Sequence, residues 1–164
     1  MKVKIRPVKP IPFTKIGYDK LVDEKRKFIQ ERPTAVAELK RAREMGDLSE
    51  NGAYKGARFK LSHIDRKIRE LDHLIKYAQI VQSTQSDVVE IGSTVTISSE
   101  ALEQTFTIVG SFESNPGNGT ISHKSPLGQA LLGKKQGDIV VVETPGGNKQ
   151  YIVSRISVSP EEVS

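Results

Sequence analysis

The chain has 164 residues, 36% apolar and 27% charged, a balance that fits one ordinary domain or two small ones and excludes a disordered polyelectrolyte. It contains no Cys, which excludes a disulfide framework, a thiol nucleophile and any Cys-ligated metal, and its 5% aromatics with no Trp argue against a broad base-stacking surface. The net charge of +5 is unevenly divided: residues 1–80 carry 20 Lys/Arg against 11 Asp/Glu, and residues 81–164 carry 5 against 9. Such a basic half suits work beside a polyanion, or equally a long solvated helix. No apolar run reaches the roughly 18 residues of a membrane span. Pro7, Lys9 and Pro10 interrupt any signal-like stretch near the start. The expectation is a soluble cytoplasmic protein with no membrane partner.

Met1 to Pro12 reads as an N-terminal extension. Phe13-Thr14 then reads as a staple residue and N-cap opening a long helix over 14–45. Val22, Ile29 and Val36 form one sevenfold row, and Leu21, Phe28, Ala35 and Ala42 form a second beside it. Together they predict one apolar stripe. Pro33 lies inside the pattern and predicts a kink or a join. Met45-Gly46 reads as the helix end.

A second helix follows. Tyr54, Ala57, Leu61, Ile64, Ile68, Leu71, Ile75 and Ala78 alternate in steps of three and four, an a/d seam. So few residues separate the two helices that they must run antiparallel, as a coiled-coil arm about 45 Å long over residues 13–82. Residues 46–50 then form its far tip.

Ser83 to Asp87 reads as a polar linker into a second domain, 83–164. There Val95 and Ile97, Phe106 and Ile108, Ile139 to Val142, and Tyr151 to Ile156 read as short strands. Thr144-Pro145-Gly146-Gly147-Asn148 is a hairpin turn between the last two. Ser125 and Pro126 open a short helix that Gly133 closes. The fold class is α+β: a helical hairpin plus a small antiparallel β-domain with one short helix.

Most candidate chemistry fails. His63 and His73 are not at the i, i+4 spacing of two metal ligands, and His123 is remote in sequence. Pro145-Gly146-Gly147 lacks the Lys-Ser/Thr ending of a phosphate loop. No serine has a His–acid pair beside it. One segment remains, Gly46-Asp47-Leu48-Ser49-Glu50-Asn51. In one reading Asp47 caps the second helix and Glu50 completes a capping box. In the other, two carboxylates are presented at the end of a stiff arm to something outside the protein. Their hard oxygens suit Mg²⁺ and the positioning of a water. The readings are compatible, because a cap uses only part of a carboxylate's acceptor capacity.

Arg41-Ala42-Arg43-Glu44-Met45-Gly46-Asp47-Leu48-Ser49-Glu50-Asn51 followed by Tyr54 resembles the tip signature of the Gre transcript-cleavage factors of bacteria. Pro33, Ser125-Pro126-Leu127-Gly128, Leu131-Leu132-Gly133-Lys134 and Thr144-Pro145-Gly146-Gly147 extend the resemblance from about Ile11 to Ile156. The resemblance implies a coiled-coil arm and a C-terminal domain of FK506-binding-protein-like (FKBP-like) fold. It implies a protein that is not itself an enzyme. The globular domain would dock on bacterial RNA polymerase and the arm would enter the secondary channel. There the tip would stimulate hydrolysis of the nascent RNA 3′ end in a backtracked complex. Asp47 and Glu50 match the family's acidic tip residues and would help hold a Mg²⁺ of the polymerase. No cofactor of the chain's own is implied.

Lys55, Arg58 and Lys60 lie behind the tip and are candidate phosphate contacts to the displaced RNA, with helix solvation as the equal alternative. The chain departs from the family pattern at Ala53, where an acid is usual, and at Gly52 and Gly56, where Ala is usual. Each Gly costs a helix about 1 kcal/mol. Two rival functions follow: a channel-binding regulator or inhibitor that does not cleave, and a peptidyl-prolyl isomerase. Only Phe106, Phe112 and Tyr151 are present to line a proline pocket, so no isomerase activity is expected.

Overall fold

The structure is a computed structural model that describes residues 9–45, 52–83, 87–100 and 102–158. The elements in chain order are β1 (Ile11–Phe13), α1 (Lys15–Glu44), α2 (Gly52–Tyr77), β2 (Ala78–Ile80), β3 (Ser93–Ser98), β4 (Glu103–Val109), a 3-10 turn (Pro116–Asn118), β5 (Thr120–Ser122), α3 (Pro126–Leu131), β6 (Ile139–Thr144) and β7 (Gly147–Val158). They form two compact units, one from Asp19 to Tyr77 and one from the chain on either side of it. Among the described residues no helix is long and apolar enough to cross a membrane.

The helical unit is an antiparallel pair. Lys25 pairs with Asp72, Arg32 with Asp65 at 2.7 Å and Lys60 with Glu38 at 2.9 Å, so one helix descends as the other ascends. Leu21, Ala35, Leu39 and Ala42 are buried on α1, and Ile64 and Leu71 on α2. Only one of the two expected rows on α1 enters the seam. Ile29 is 49% and Val36 41% exposed, because each lies one position beyond the buried row and so on its flank. Leu39 completes the seam instead. Two positions in the steps between Leu21 and Ala35 are Lys25 and Arg32, whose charges reach Asp72 and Asp65 across the hairpin. Pro33 neither ends α1 nor divides it: the helix is continuous, with the ring on its exposed face.

Sequence periodicity carried α2 one residue too far. Ala78 opens β2, which pairs in parallel with β1 in the register Ile11↔Ala78 to Phe13↔Ile80. Neither three-residue strand has a periodic signature to betray it.

The other unit is built on a five-stranded sheet of order β5-β4-β3-β7-β6. Neighbours are antiparallel except β4 and β5, which are parallel across a connection that turns back through Pro116–Asn118 and the left-handed Gly119. An all-antiparallel domain was expected, and β5 corrects it. Alternation puts Val95, Ile97, Ile108, Ile121, Val140, Val142 and Val153 in one core with Val89 and Leu131. The opposite face carries hydroxyl pairs, Thr94–Thr107 at 2.9 Å, Thr96–Thr105 at 3.0 Å and Ser98–Ser154 at 2.8 Å. The register slips between Thr96 and Ile97, where Arg155 and Val153 are their partners and Ser154 is the extra residue.

The expected turn chemistry is present. Thr144 pairs with Gly147 across Pro145-Gly146, and Gly147 has φ +106°. The Ser125 hydroxyl accepts from the Gly128 amide at 3.0 Å with Pro126 at the first helical position. Ser83 departs from expectation: it is buried, 3.4 Å from the Ser93 hydroxyl, and not a solvated linker residue. Residues 84–86 of that linker lie outside the described residues.

The start of α1 is held by a residue from the loop after β4. The Thr14 hydroxyl accepts from the Gly17 amide at 3.0 Å, the expected N-cap. Glu113 accepts from the Thr14 amide (3.1 and 3.2 Å), the Thr14 hydroxyl and the Gly110 amide (2.9 Å). Phe13 is fully buried and stacks on Phe112 with ring centroids 6.2 Å apart.

Candidate functional site

Asp47 and Glu50, with the capping-box alternative that uses them, lie outside the described residues. The structure describes what leads to them: α1 ends at Glu44 and α2 begins at Gly52. Antiparallel pairing makes the chain between those points the connection of the hairpin, and both carboxylates belong to it by sequence.

The helix ends on either side are basic. Arg41 and Arg43 occupy the last turn of α1, where positive charge complements the exposed carbonyls of the helix terminus. The Arg43 guanidinium lies 6.0 Å from the centroid of the Tyr54 ring, joining the end of one helix to the start of the other. Tyr54 was legible as the first seam residue, but its cation partner was not.

The three candidate cations of α2 do not form one patch. Lys60 is bound by both oxygens of Glu38, each at 2.9 Å. Lys55 and Arg58 are exposed and have no ion-pair partner among the described residues. Helical spacing puts Lys55 and Arg58 on one flank of α2 and Lys60 on the other.

On the Lys60 flank, a cleft of about 310 Å³ opens between the helices. It is lined by Ala42, Ala53, Gly56 and Ala57 together with Arg41, Met45, Lys60 and Glu38. The cleft exists because small residues meet small residues near the hairpin end. A Cβ added at Gly52 or Gly56 would meet nothing within 4 Å.

The remaining candidates are dispersed. His63 contacts Arg66 at 3.1 Å, His73 lies against Tyr77, and His123 contacts the Val109 carbonyl at 3.3 Å. Among the described residues no three His, Asp or Glu side chains are grouped to hold a metal ion. A groove of about 850 Å³ on the sheet unit includes Leu102, Ile139, Tyr151 and Ile152. Phe106 packs against the core and Phe112 lies on Phe13, so the three aromatics do not line one pocket.

Comparisons with known proteins cover both halves. Residues 11–80 match the family model "Transcription elongation factor, N-terminal", and residues 84–158 match "Transcription elongation factor, GreA/GreB, C-term". The transcription elongation factor GreA of a Nitratiruptor species is 40% identical over 153 residues, 91% of this chain and 94% of that protein. GreA of an Anaeromyxobacter species is 40% identical over 158 residues, 93% of this chain and 95% of that protein. Among solved structures, GreA factor homolog 1 of Thermus thermophilus is 25% identical, with a TM-score of 0.44, over 91% of this chain and 99% of that one.

Proposed function

Because the chain belongs to the GreA/GreB family of transcription elongation factors, we propose that it acts on bacterial RNA polymerase by bringing Asp47 and Glu50 to the 3′ end of a backtracked transcript. The helical arm enters the secondary channel, and the polymerase's own active centre hydrolyses the RNA. The new 3′ end lies in register, and elongation resumes. The protein stimulates the reaction in trans and is not itself a nuclease.

One observation carries this reading: an antiparallel helical hairpin, packed along a buried seam and crossed by three ion pairs, whose connection by sequence holds two acidic residues. A stiff arm delivers a charged group at a fixed reach, and small misplacements of reacting groups cost large factors in rate. The two carboxylates are hard oxygen donors that suit Mg²⁺ while filling only part of its octahedral shell, so the metal site is completed by the polymerase. When bound, that ion supplies charge stabilisation to the attacking and leaving oxygens. The chain's residues position the attacking water by accepting its hydrogen bonds. Lys55 and Arg58 contact phosphates of the displaced RNA without reading its sequence.

The test is transcript shortening in stalled, backtracked complexes with matched polymerase. Wild type shortens the RNA, while Asp47→Asn and Glu50→Gln bind equally in competition but leave it intact. Binding without shortening by wild type would instead assign the protein to channel regulation.

A further inference from the structure

We propose that Phe59 is a stacking platform for one base of the displaced single-stranded RNA. The inference rests on the cleavage-factor reading above and adds a contact to the RNA that phosphate-binding cations do not supply.

Phe59 is 73% exposed, and its ring has no aromatic or cation partner among the described residues. The seam residues Ala57, Leu61, Ile64 and Ile68 lie on the opposite side of α2, so the ring contributes nothing to the helical core. Single exposed apolar residues are common on protein surfaces and need no explanation alone. Three features of the surroundings distinguish this one.

First, the ring is flanked by positive charge. Lys55 is one turn before it on the same face and Arg58 is adjacent, and neither has an ion-pair partner among the described residues. Arg66 is two turns beyond, 3.9 Å from Glu70. An aromatic ring between cations matches single-stranded nucleic acid, whose backbone is anionic and whose bases have apolar faces. A purely apolar protein partner would have to desolvate those cations without compensation.

Second, the ring is approachable from the hairpin end. Helical side chains lean toward the N-terminus of their helix, which for α2 is the end beside the acidic connection. On that side Gly52 shares the ring's face beside Lys55, and it presents no side chain where a base would slide over the helix.

Third, the position is near the chemistry. Seven residues of helix, about 10 Å, separate Phe59 from the start of α2. One ring suffices to hold a base, so the scarcity of aromatics in the chain is no obstacle.

The test uses a backtracked complex with matched polymerase, in which a displaced RNA base is 2-aminopurine, whose fluorescence falls on stacking. The protein carries Asp47→Asn and Glu50→Gln, so the RNA stays whole, and occupancy is equalised by competition. Position 59 is compared as Phe, Phe59→Tyr and Phe59→Leu, with helix content checked by circular dichroism. Quenching is expected with Phe and Tyr and lost with Leu. On an otherwise wild-type arm, Phe59→Leu should slow cleavage about 5- to 100-fold, the loss of one base–aromatic stack, while Phe59→Tyr stays within about twofold.

Leu retaining either the quench or the rate overturns the proposal. Phe59-dependent quenching without cleavage by wild type removes the cleavage reading and leaves the stack. Cleavage with no Phe59-dependent quench removes the stack and leaves the cleavage reading. Failure to bind the complex overturns both.

Discussion

Thr14 and Glu113 are 99 positions apart, yet the Glu113 carboxylate accepts from both the amide and the hydroxyl of Thr14. The same hydroxyl accepts from the Gly17 amide, so the cap of α1 is itself held by a residue of the loop after β4. The Gly110 amide adds a further donor to Glu113. Removing the carboxylate leaves donors of the buried Thr14 and Gly110 without their partner. Glu113→Ala should destabilise this unit by about 1–3 kcal/mol, and Glu113→Gln by less. The midpoint of urea unfolding, followed by circular dichroism, checks both.

Gly17 and Gly56 both lie in helices but predict opposite responses to alanine. A Cβ at Gly17 would stand 1.7 Å from the Glu113 carboxylate, forcing it off its donors. Gly17→Ala should therefore cost about 1–3 kcal/mol. In a Glu113→Ala background much of that cost should vanish, because the clash and the bonds are lost together. At Gly56 a Cβ meets open space. Gly56→Ala should stabilise the arm by about 0.5–1 kcal/mol through a less flexible unfolded chain. Thermal and urea unfolding of the four variants decide this.

Ser125 and Gly128 make a third pair. The serine hydroxyl accepts from the Gly128 amide, and a Cβ at Gly128 would lie 2.1 Å from the Ser122 carbonyl. Ser125→Ala should cost about 1 kcal/mol, an N-cap loss. Gly128→Ala should cost more, because a backbone oxygen cannot step aside. Amide hydrogen exchange in α3 is the local readout.

The cations behind the tip should not be equivalent in function. Lys60 is engaged by Glu38, while Lys55 and Arg58 have no ion-pair partner among the described residues. Lys55→Ala and Arg58→Ala should each slow transcript cleavage more than Lys60→Ala, and each should reduce the salt dependence by about one phosphate contact. The Lys60–Glu38 pair is exposed, so its loss should change stability by no more than about 1 kcal/mol. Cleavage rates across a salt series, with unfolding measured in parallel, separate the two effects.

Those contrasts show what was legible in the sequence. The α2 seam was readable because its apolar steps alternate without interruption. On α1 the two rows differ by one position, and periodicity does not say which faces the partner. The answer depends on which positions meet α2, and the buried ones are Leu21, Ala35, Leu39 and Ala42. In β6 Ile139, Val140, Val141 and Val142 are all β-branched, so composition marks a strand but no face. The sheet buries Val140 and Val142 and leaves Ile139 and Val141 exposed. Glu113 was invisible because its partners are distant in sequence and its composition is that of any loop acid. For the candidate site, the residue types at Asp47, Glu50, Lys55 and Arg58 were readable. The pairing of Lys60 with Glu38 was not, since it needs the opposite helix in register.

The short parallel pair of β1 and β2 has an architectural consequence. Phe13 leads into α1 and Ala78 follows directly on α2, and the pair is fastened through the Val81 amide to the Phe13 carbonyl at 2.8 Å. The whole hairpin is thus an excursion that leaves from, and returns to, one clasp. Its length is a separable variable: a heptad added to or removed from both helices together preserves the seam and leaves the clasp unchanged. Each such step changes the length of the helical pair by about 10 Å. Reach can therefore be tuned in evolution or in the laboratory by whole heptads, with no redesign of the domain that holds the arm.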